Sequence, residues 1–241
     1  MTTASESESR QIVESAGIPV SRWKTASDID EALNAAREIG FPNALKLNGS
    51  SIAHKTEQGF VRLNLKTESE FLNAANELLE NKIDDSDLLI TEMLSGSREV
   101  IAGVVRDSQF GPCVMFGFGG VLAEAIADVE FRLAPITPYD ARDLISSLKT
   151  TDLLKEFRGE EALDIDATID LLIKLGDLAK DDKILSIDLN PLILVNGIPI
   201  AVDAVSSEVK QGILCSVAAR LIWNPSLIIS SLPPSIVLIT A

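Results

Sequence analysis

The stretch that decides the fold, residues 43–65, reads NALKLNGSSIAHKTEQGFVRLNL. A short apolar run carrying Lys46 comes first, a polar turn follows, and residues 60–65 then alternate between apolar and polar side chains. Strand, turn and strand is the simplest interpretation, so we expect a β-hairpin. Near its tip lie His54, the only histidine of the chain, and Lys55. Cations at a hairpin tip suit an anion, and a polyphosphate is the obvious candidate.

The histidine and the strand lysine each have a simpler interpretation as well. A lone histidine is more often an ordinary surface residue of a hairpin than a phosphate-handling group, so His54 alone favours the ordinary reading. Lys46 fits equally well as a point charge aimed at phosphates or as a solvated residue on the polar face of a half-buried strand.

The residues around the hairpin predict a small α+β unit. Residues 6–16 have the apolar spacing of a helix, and Ser27 is a good N-cap for a second helix that ends at Gly40. A capping box at residues 67–70 begins a third helix after the hairpin. Helix, strand, strand and helix therefore alternate over the first part of the chain.

The second part of the chain predicts further strands and helices. Strands at 88–93, 99–105 and 113–116 have connections too short for crossovers, so we expect the three to be antiparallel. Pro138 begins one helix and residues 163–180 form another. Pro191 is expected to break a strand that begins at Ile184, and an Asn-Gly pair at 196–197 predicts a second hairpin.

Composition excludes several classes of protein. The net charge of −15 disfavours nucleic acid and anionic membranes as partners, so an anionic ligand would need a local basic pocket. Cys113 and Cys215 lie far apart and form no paired motif, which fits a reducing cytoplasm without a disulfide framework or zinc site. We expect no signal peptide and no membrane span, because no apolar run approaches the ~20 residues that a bilayer requires.

Two further groups have a functional and an ordinary interpretation. The glycine cluster at 117–120 either lets backbone amides approach an anion or makes a turn after a strand, and it matches neither a dinucleotide fingerprint nor a Walker loop. Glu124, Asp128 and Arg132 are spaced by four and would share one helix face. That face is either solvated or the wall of a site in which Arg132 holds a phosphate or carboxylate.

Asp188, Asn190 and Asp203 are candidate Mg²⁺ ligands. Asp188 and Asn190 project to the same side of a strand, and Asp203 lies on the return strand of the Asn-Gly hairpin. Oxygen ligands from neighbouring strands suit Mg²⁺, with nucleotide phosphates and water completing the octahedron. The ordinary interpretation is an acidic turn beside Pro191.

Taken in order, these weak signals resemble one family. The chain is similar, from about residue 8 to residue 205, to the ATP-grasp subunit of the nucleoside-diphosphate-forming acyl-CoA synthetases, with the β subunit of ADP-forming acetate–CoA ligase as the nearest type. The motifs that carry the resemblance are GIPV (17–20), IGFP (39–42), LKL (45–47), HKTE (54–57), VRLNL (61–65), TEM (91–93), REVIAGVVRD (98–107), QFGP (109–112), FGFGGV (116–121), FRLAP (131–135), FRG (157–159) and DLNPL (188–192).

The resemblance implies an ATP-grasp fold, in which two α+β lobes hold the nucleotide between them. Residues 18–90 would form the first lobe and 91–205 the second lobe with the metal site. Residues 1–17 would be a helical lead-in, and 206–241 a tail to which we assign no role.

The resemblance also implies roles for individual residues. His54 and Arg132 would be catalytic, His54 in phosphoryl transfer and Arg132 on the phosphate side. The nucleotide would contact Lys46, Lys55, Glu92, Met93, Leu94 and Glu99. Mg²⁺ would be held by Asn190 and Asp203, with Asp188 nearby.

The implied function is an ATP- and Mg²⁺-dependent component of an acid–CoA ligase. The overall reaction would be acyl-CoA + ADP + phosphate ⇌ acid + CoA + ATP, and this chain would pass a phosphoryl group between the nucleotide and a partner phosphohistidine. CoA and the acid would bind to an α subunit or a fused portion, because no GxGxxG motif is present. Two alternatives stay open: an ATP-grasp ligase that joins a carboxylate to an amine, and a non-catalytic nucleotide-sensing module.

Overall fold

The computed structural model describes residues 2–49, 59–82, 86–96, 98–120, 128–156 and 159–208. Within them the strands are β1 (Thr2–Thr3), β2 (Trp23–Ala26), β3 (Asn43–Asn48), β4 (Val61–Leu65), β5 (Asp87–Glu92), β6 (Glu99–Asp107), β7 (Gly111–Phe118), β8 (Val129–Leu133), β9 (Ile184–Val195), β10 (Ile198–Ala201) and β11 (Val205–Glu208). The helices are α1 (Glu6–Ser15), α2 (Ile29–Ile39), α3 (Glu68–Glu80), α4 (Pro138–Ser146) and α5 (Ile165–Leu178), with a 3₁₀ turn at Thr151–Leu154. His54, Lys55, Glu124 and residues 209–241 lie outside the described residues.

The strands form two antiparallel sheets. The first sheet has the order β2-β5-β3-β4, and the second has the order β1-β11-β9-β6-β7-β8 with β10 paired to β9. The predicted α+β class is confirmed. The three strands β5, β6 and β7 were expected to pair with one another, and this expectation is wrong for β5. Strand β5 pairs with β2 and β3 of the first sheet, whereas β6 and β7 pair with each other in the second. The chain crosses between the sheets after β5.

Helices α2 and α3 cover one face of the first sheet. Asp28 caps α2, one residue later than the predicted Ser27, and its carboxylate accepts a hydrogen bond of 2.8 Å from the Glu31 amide. The fully buried Phe71 of α3 packs in one core with Leu45 and Leu47 of β3. Because successive side chains of a strand point to opposite faces, Lys46 points away from these helices.

Helices α4 and α5 cover one face of the second sheet. The core there includes Leu144 of α4, Leu172 of α5 and Val114 of β7, and all three are fully buried. Strand β9 continues through Pro191 to Val195, so the expected break is wrong. The predicted Asn196-Gly197 hairpin is confirmed, because β9 pairs with β10 across it and both turn residues have positive φ.

Helix α1 contacts both sheets. Ser5 and Glu8 form a capping box that begins the helix, and Val13 belongs to the core of the second sheet. On the other side, Asn48 of β3 accepts the Ser7 amide through its side-chain oxygen at 3.1 Å. The predicted helix at 6–16 is confirmed, and it lies against the face of β3 that carries Lys46. No helix within the described ranges is long and apolar enough to cross a bilayer.

Candidate functional site

Lys46 lies on the face of the first sheet opposite α2 and α3, where helix α1 and the second sheet meet it. Its side-chain nitrogen is 2.8 Å from the Glu6 carboxylate of α1 and 3.4 Å from the Asp203 carboxylate in the turn between β10 and β11. Only 7% of Lys46 is exposed, so its interpretation as a solvated surface residue is wrong. The charge is instead held between two carboxylates from distant parts of the chain.

Two charged residues of α1 complete this arrangement. The Arg10 guanidinium is fully buried and donates to Glu6 at 3.1 Å. It also donates to the Ser21 hydroxyl at 3.2 Å and to the carbonyl of Val202, the residue before Asp203. Helix α1 therefore contacts the lysine of the first sheet through Glu6 and the Asp203 turn of the second sheet through Arg10.

Asp188 adds a second carboxylate beside Asp203. Its neighbours Ile187 and Leu189 belong to the core, so Asp188 points to the opposite face of β9. Burial, with the nearby charge of Asp203 as a second cause, raises the pKa of Asp188 to about 6. A divalent cation would relieve this repulsion. We call Glu6, Arg10, Lys46, Asp188 and Asp203 the junction cluster.

The donors fit a Mg²⁺ ion that is completed by nucleotide and water. Among the described residues, no three His, Cys, Asp or Glu side chains gather closely enough to hold a metal by themselves. Mg²⁺ is typically held by one or two carboxylates together with phosphate oxygens and waters. Asp188 and Asp203 supply the carboxylates, and the exposed Asn190 lies two residues further along β9. Asp203 follows β10 and is not part of that strand, contrary to the sequence prediction.

The predicted base-binding residues lie where the chain leaves the first sheet. Glu92 ends β5, and Arg22 donates to its carboxylate at 2.8 and 3.1 Å. The hydrogen bond from Arg22 lowers the pKa of the Glu92 carboxyl, so the group stays ionised. The Met93 amide donates to the Pro42 carbonyl at 3.4 Å, and the half-buried Leu94 follows. These three residues remain predicted nucleotide contacts.

Glu99 packs against the glycine cluster. The Gly119 amide donates to the Glu99 carbonyl at 2.8 Å, and a Cβ on Gly119 would lie 3.1 Å from the Glu99 carbonyl carbon. A Cβ on Gly120 would lie 3.3 Å from the Glu99 carboxylate. A Cβ on Gly117, inside β7, would lie 2.7 Å from the Asp128 carbonyl. Close backbone packing therefore favours glycine at 117 and 119, and the positive φ of 80° favours it at 120.

Arg132 lies apart from the junction cluster. It is on β8, a strand and not the predicted helix, so its spacing of four from Asp128 does not place the two on one helix face. Arg132 pairs across the sheet with Val114, which faces α4 and α5, and it donates to Asp143 at 2.6 and 3.0 Å and to Ser147 at 2.9 Å. Its phosphate-side role remains a prediction, and the structure does not bring it to Lys46.

Glu6 and Arg10 were not among the site residues that the sequence predicted. A signal was present, because the capping box begins α1 at Ser5 and the two residues are spaced as an i,i+4 ion pair. That spacing usually indicates a solvated pair. It could not indicate that Glu6 contacts Lys46, forty residues further along the chain.

Comparison with known proteins gives one consistent result. The family profile described as an ATP-grasp domain matches residues 1–206. The chain is 40% identical over 206 residues to the β subunit of acetate–CoA ligase [ADP-forming] I of Pyrococcus furiosus, covering 83% of this chain and 89% of that protein.

Solved structures agree with this similarity. A dinucleotide-forming acetyl-coenzyme A synthetase 1 of Ca. Korarchaeum cryptofilum, in complex with coenzyme A and Ca-AMPCP, is 38% identical with a TM-score of 0.81, covering 86% of this chain and 94% of that chain. The same enzyme with Mg-AMPPCP, its phosphohistidine segment pointing towards the nucleotide-binding site, is 40% identical with a TM-score of 0.75, covering 85% and 92%.

Proposed function

Because the chain belongs to the ATP-grasp domain family, among the β subunits of ADP-forming acetate–CoA ligases, we propose that its junction cluster is the phosphate and metal end of a nucleotide site. The chain is the ATP-binding component of an acid–CoA ligase. The two sheets would be the two lobes, with ATP or ADP between them.

The observation that carries the proposal is the buried lysine beside paired carboxylates. Phosphoryl transfer depends on positioning and on cations aimed at the phosphate oxygens. Lys46 supplies a desolvated positive charge on the face of the first sheet opposite α2 and α3, and Asp203 contacts it with Asp188 beside Asp203. Mg²⁺, when bound through Asp188, Asp203 and Asn190, would neutralise phosphate charge.

The base and ribose would lie at the crossing between the sheets. Glu92 and the backbone of Met93 and Leu94 would meet the adenine, and Glu99 would accept from a ribose hydroxyl. Arg22 holds the Glu92 carboxylate in one orientation, which favours a fixed acceptor at this end. At the ribose end, the packing of Gly119 and Gly120 against Glu99 limits the positions that Glu99 can take.

His54 would exchange a phosphoryl group between the nucleotide and a phosphohistidine of the partner, with Lys55 on the nucleotide phosphates and Arg132 on the phosphate side. Strands β3 and β4 flank His54 in sequence and pair with each other, and β4 begins at Val61, the residue opposite Lys46. The CoA and acid sites would belong to an α subunit, since the relative is named as one subunit of its enzyme.

Calorimetry on the isolated chain tests the proposal. We expect binding of ADP that depends on millimolar Mg²⁺, and no formation of acyl-CoA without the partner. Absence of any nucleotide affinity at millimolar Mg²⁺ would contradict the proposed site. Separately, His54→Ala should abolish phosphorylation of ADP by a phosphorylated partner while leaving Mg-ADP affinity within about twofold of the wild type.

A further inference from the structure

We infer that Glu6 is a positioning residue of this nucleotide site, an inference that rests on the proposed role of Lys46. The carboxylate of Glu6 would hold the Lys46 ammonium in place while Asp203 binds the metal. Helix α1 would then be part of the phosphate site and not only a lead-in to it.

The two carboxylate partners of Lys46 lie at different distances from its ammonium nitrogen. Glu6 is at 2.8 Å, a hydrogen-bond distance, whereas Asp203 is at 3.4 Å. An ammonium has three donors, so it can keep one partner while it offers the others to a ligand. A metal on Asp203 would use that carboxylate's lone pairs and leave Glu6 as the fixed acceptor of the lysine.

The surroundings of Glu6 make it rigid. Its side chain is 3% exposed, and Arg10, which is fully buried, donates to the same carboxylate oxygen that Lys46 contacts. Two buried cations share one oxygen of this carboxylate, which leaves it little freedom to turn. Arg10 also donates to the Val202 carbonyl, so one side chain connects Glu6 with the turn that carries Asp203.

This geometry and simple charge repulsion predict opposite effects on nucleotide affinity when the charge of Glu6 is removed. If Glu6 acted only as a negative charge near phosphates, its removal would tighten binding. If Glu6 positions Lys46, its removal leaves Asp203 as the remaining carboxylate partner of the lysine. The ammonium would then move toward the metal ligand and away from the phosphates. Nucleotide binding should weaken.

The test is Mg-ADP affinity by calorimetry for the full chain. Glu6→Gln keeps the shape and removes the charge, and we expect affinity to fall about tenfold, the lower end of what the loss of an outer partner of a ligating group costs. Glu14→Gln removes the same charge from an exposed position of the same helix and should leave affinity unchanged. Unchanged or tighter binding by Glu6→Gln would overturn the inference.

A double-mutant cycle separates positioning from general loss of structure. In a Lys46→Met background, titrated with millimolar nucleotide, Glu6→Gln should cause no further loss, because its effect passes through the lysine. An equal loss in both backgrounds would show that Glu6 acts independently of Lys46 and would overturn the inference.

Glu6→Asp guards against a variant that does not fold. It keeps the charge but draws the carboxylate back from both Lys46 and Arg10, which share one of its oxygens, so the affinity should fall by a smaller factor than for Glu6→Gln while the melting curve shows a folded protein. Unchanged affinity of this folded variant would count against the inference. Failure of the wild type to bind Mg-ADP would contradict the proposed function itself, whereas a binding wild type with an equally tight Glu6→Gln contradicts only the role of Glu6.

Discussion

Two charged groups of the molecule differ in what surrounds their cations. One is the junction cluster, which contains Lys46, and the other is Arg132 with Asp143, which we call the edge pair. Both contain a cation for which the sequence implies a phosphate role. Lys46 is nearly buried and bound by carboxylates from α1 and from the second sheet. Arg132 is 26% exposed at its side chain, and its partners are Asp143 of α4, Ser147 directly after that helix and Glu130 of its own strand.

The difference lies in the face of the sheet that each cation occupies. Lys46 points to the face of the first sheet opposite α2 and α3, where α1 and the turn before β11 supply its two carboxylate partners. Arg132 points to the face of the second sheet that α4 and α5 cover, where two of its guanidinium nitrogens donate to one carboxylate oxygen of Asp143 on α4. A cation in the first position can meet a ligand, whereas a cation in the second connects a helix to a strand. The following predictions test this division.

Replacing Lys46 should have the largest effect. Lys46→Met removes the desolvated charge, and we expect Mg-ADP affinity to fall about 100-fold, as is typical when one partner of a buried charged hydrogen bond is truncated. Lys24→Met, which removes an exposed lysine of the same sheet, is the matched control and should bind normally. If calorimetry gave the two variants equal affinities, the junction cluster would not be the phosphate site.

Asp203→Asn should have the next largest effect and should act through the metal. Affinity for ADP with Mg²⁺ should fall about tenfold, because a neutral amide is a weaker Mg²⁺ ligand than a carboxylate. Affinity measured with a chelator and no Mg²⁺ should not change in the same direction, since Lys46 then loses a competing partner. Asp170→Asn, an exposed change on α5, serves as control. A loss of equal size with and without Mg²⁺ would argue against a metal role.

Asp128→Asn should change stability without changing nucleotide affinity. Asp128 is 4% exposed and accepts from the amides of Lys149 and Thr150 and from the Thr150 hydroxyl. Burial alone would raise the pKa of Asp128, but these hydrogen bonds outweigh it and lower the pKa. We expect Asp128→Asn to reduce the free energy of unfolding by about 2 kcal/mol at pH 7, the scale of a hydrogen bond to a charged group.

The pH dependence of that loss follows from the direction of the shift. A carboxyl with a lowered pKa in the folded state stabilises above its unfolded pKa of about 4, and this contribution disappears as the pH falls through the folded pKa. Urea unfolding at pH 7 and at lower pH gives the difference in unfolding free energy between the wild type and Asp128→Asn. This difference should become smaller only below about pH 4. A constant difference would mean that the charge of Asp128 is not what stabilises the fold.

Local pattern predicted most of the elements. Short-range rules predicted the helices from the spacing of their apolar residues, and the structure contains α1, α2, α3 and α5 at those places. The same rules predicted the strands on either side of His54 and the Asn196-Gly197 turn. The sheet to which β5 belongs did not follow from them. A connection such as 93–98 is short enough for a hairpin, and it serves equally well to cross between two sheets.

The site was predictable in its residue types but not in its contacts. Lys46, Asp188 and Asp203 were identified from order and resemblance, and the structure brings them together. Glu6 was not identified, because an ion pair forty residues apart in sequence depends on how α1 packs against β3. The face of Arg132 was missed for a related reason: a spacing of four suggested a helix, whereas the period of two along β8 decides where the side chain points.

Replacing Arg132 should have the smallest effect and tests the comparison most directly. The pair with Asp143 is partly exposed, so Arg132→Gln should cost about 1 kcal/mol of unfolding free energy, the upper range for such an ion pair. Asp143→Asn breaks the same pair from the other side but leaves Arg132 its contacts with Ser147 and Glu130, so it should cost no more.

If Arg132 only connects β8 to α4, both variants should bind Mg-ADP like the wild type. If Arg132 contacts phosphate as the family resemblance implies, Arg132→Gln alone should weaken binding, because Asp143→Asn leaves the guanidinium in place and free to turn toward a ligand. That second result would require Arg132 to leave Asp143 when nucleotide binds, and it would remove the division between the two centres.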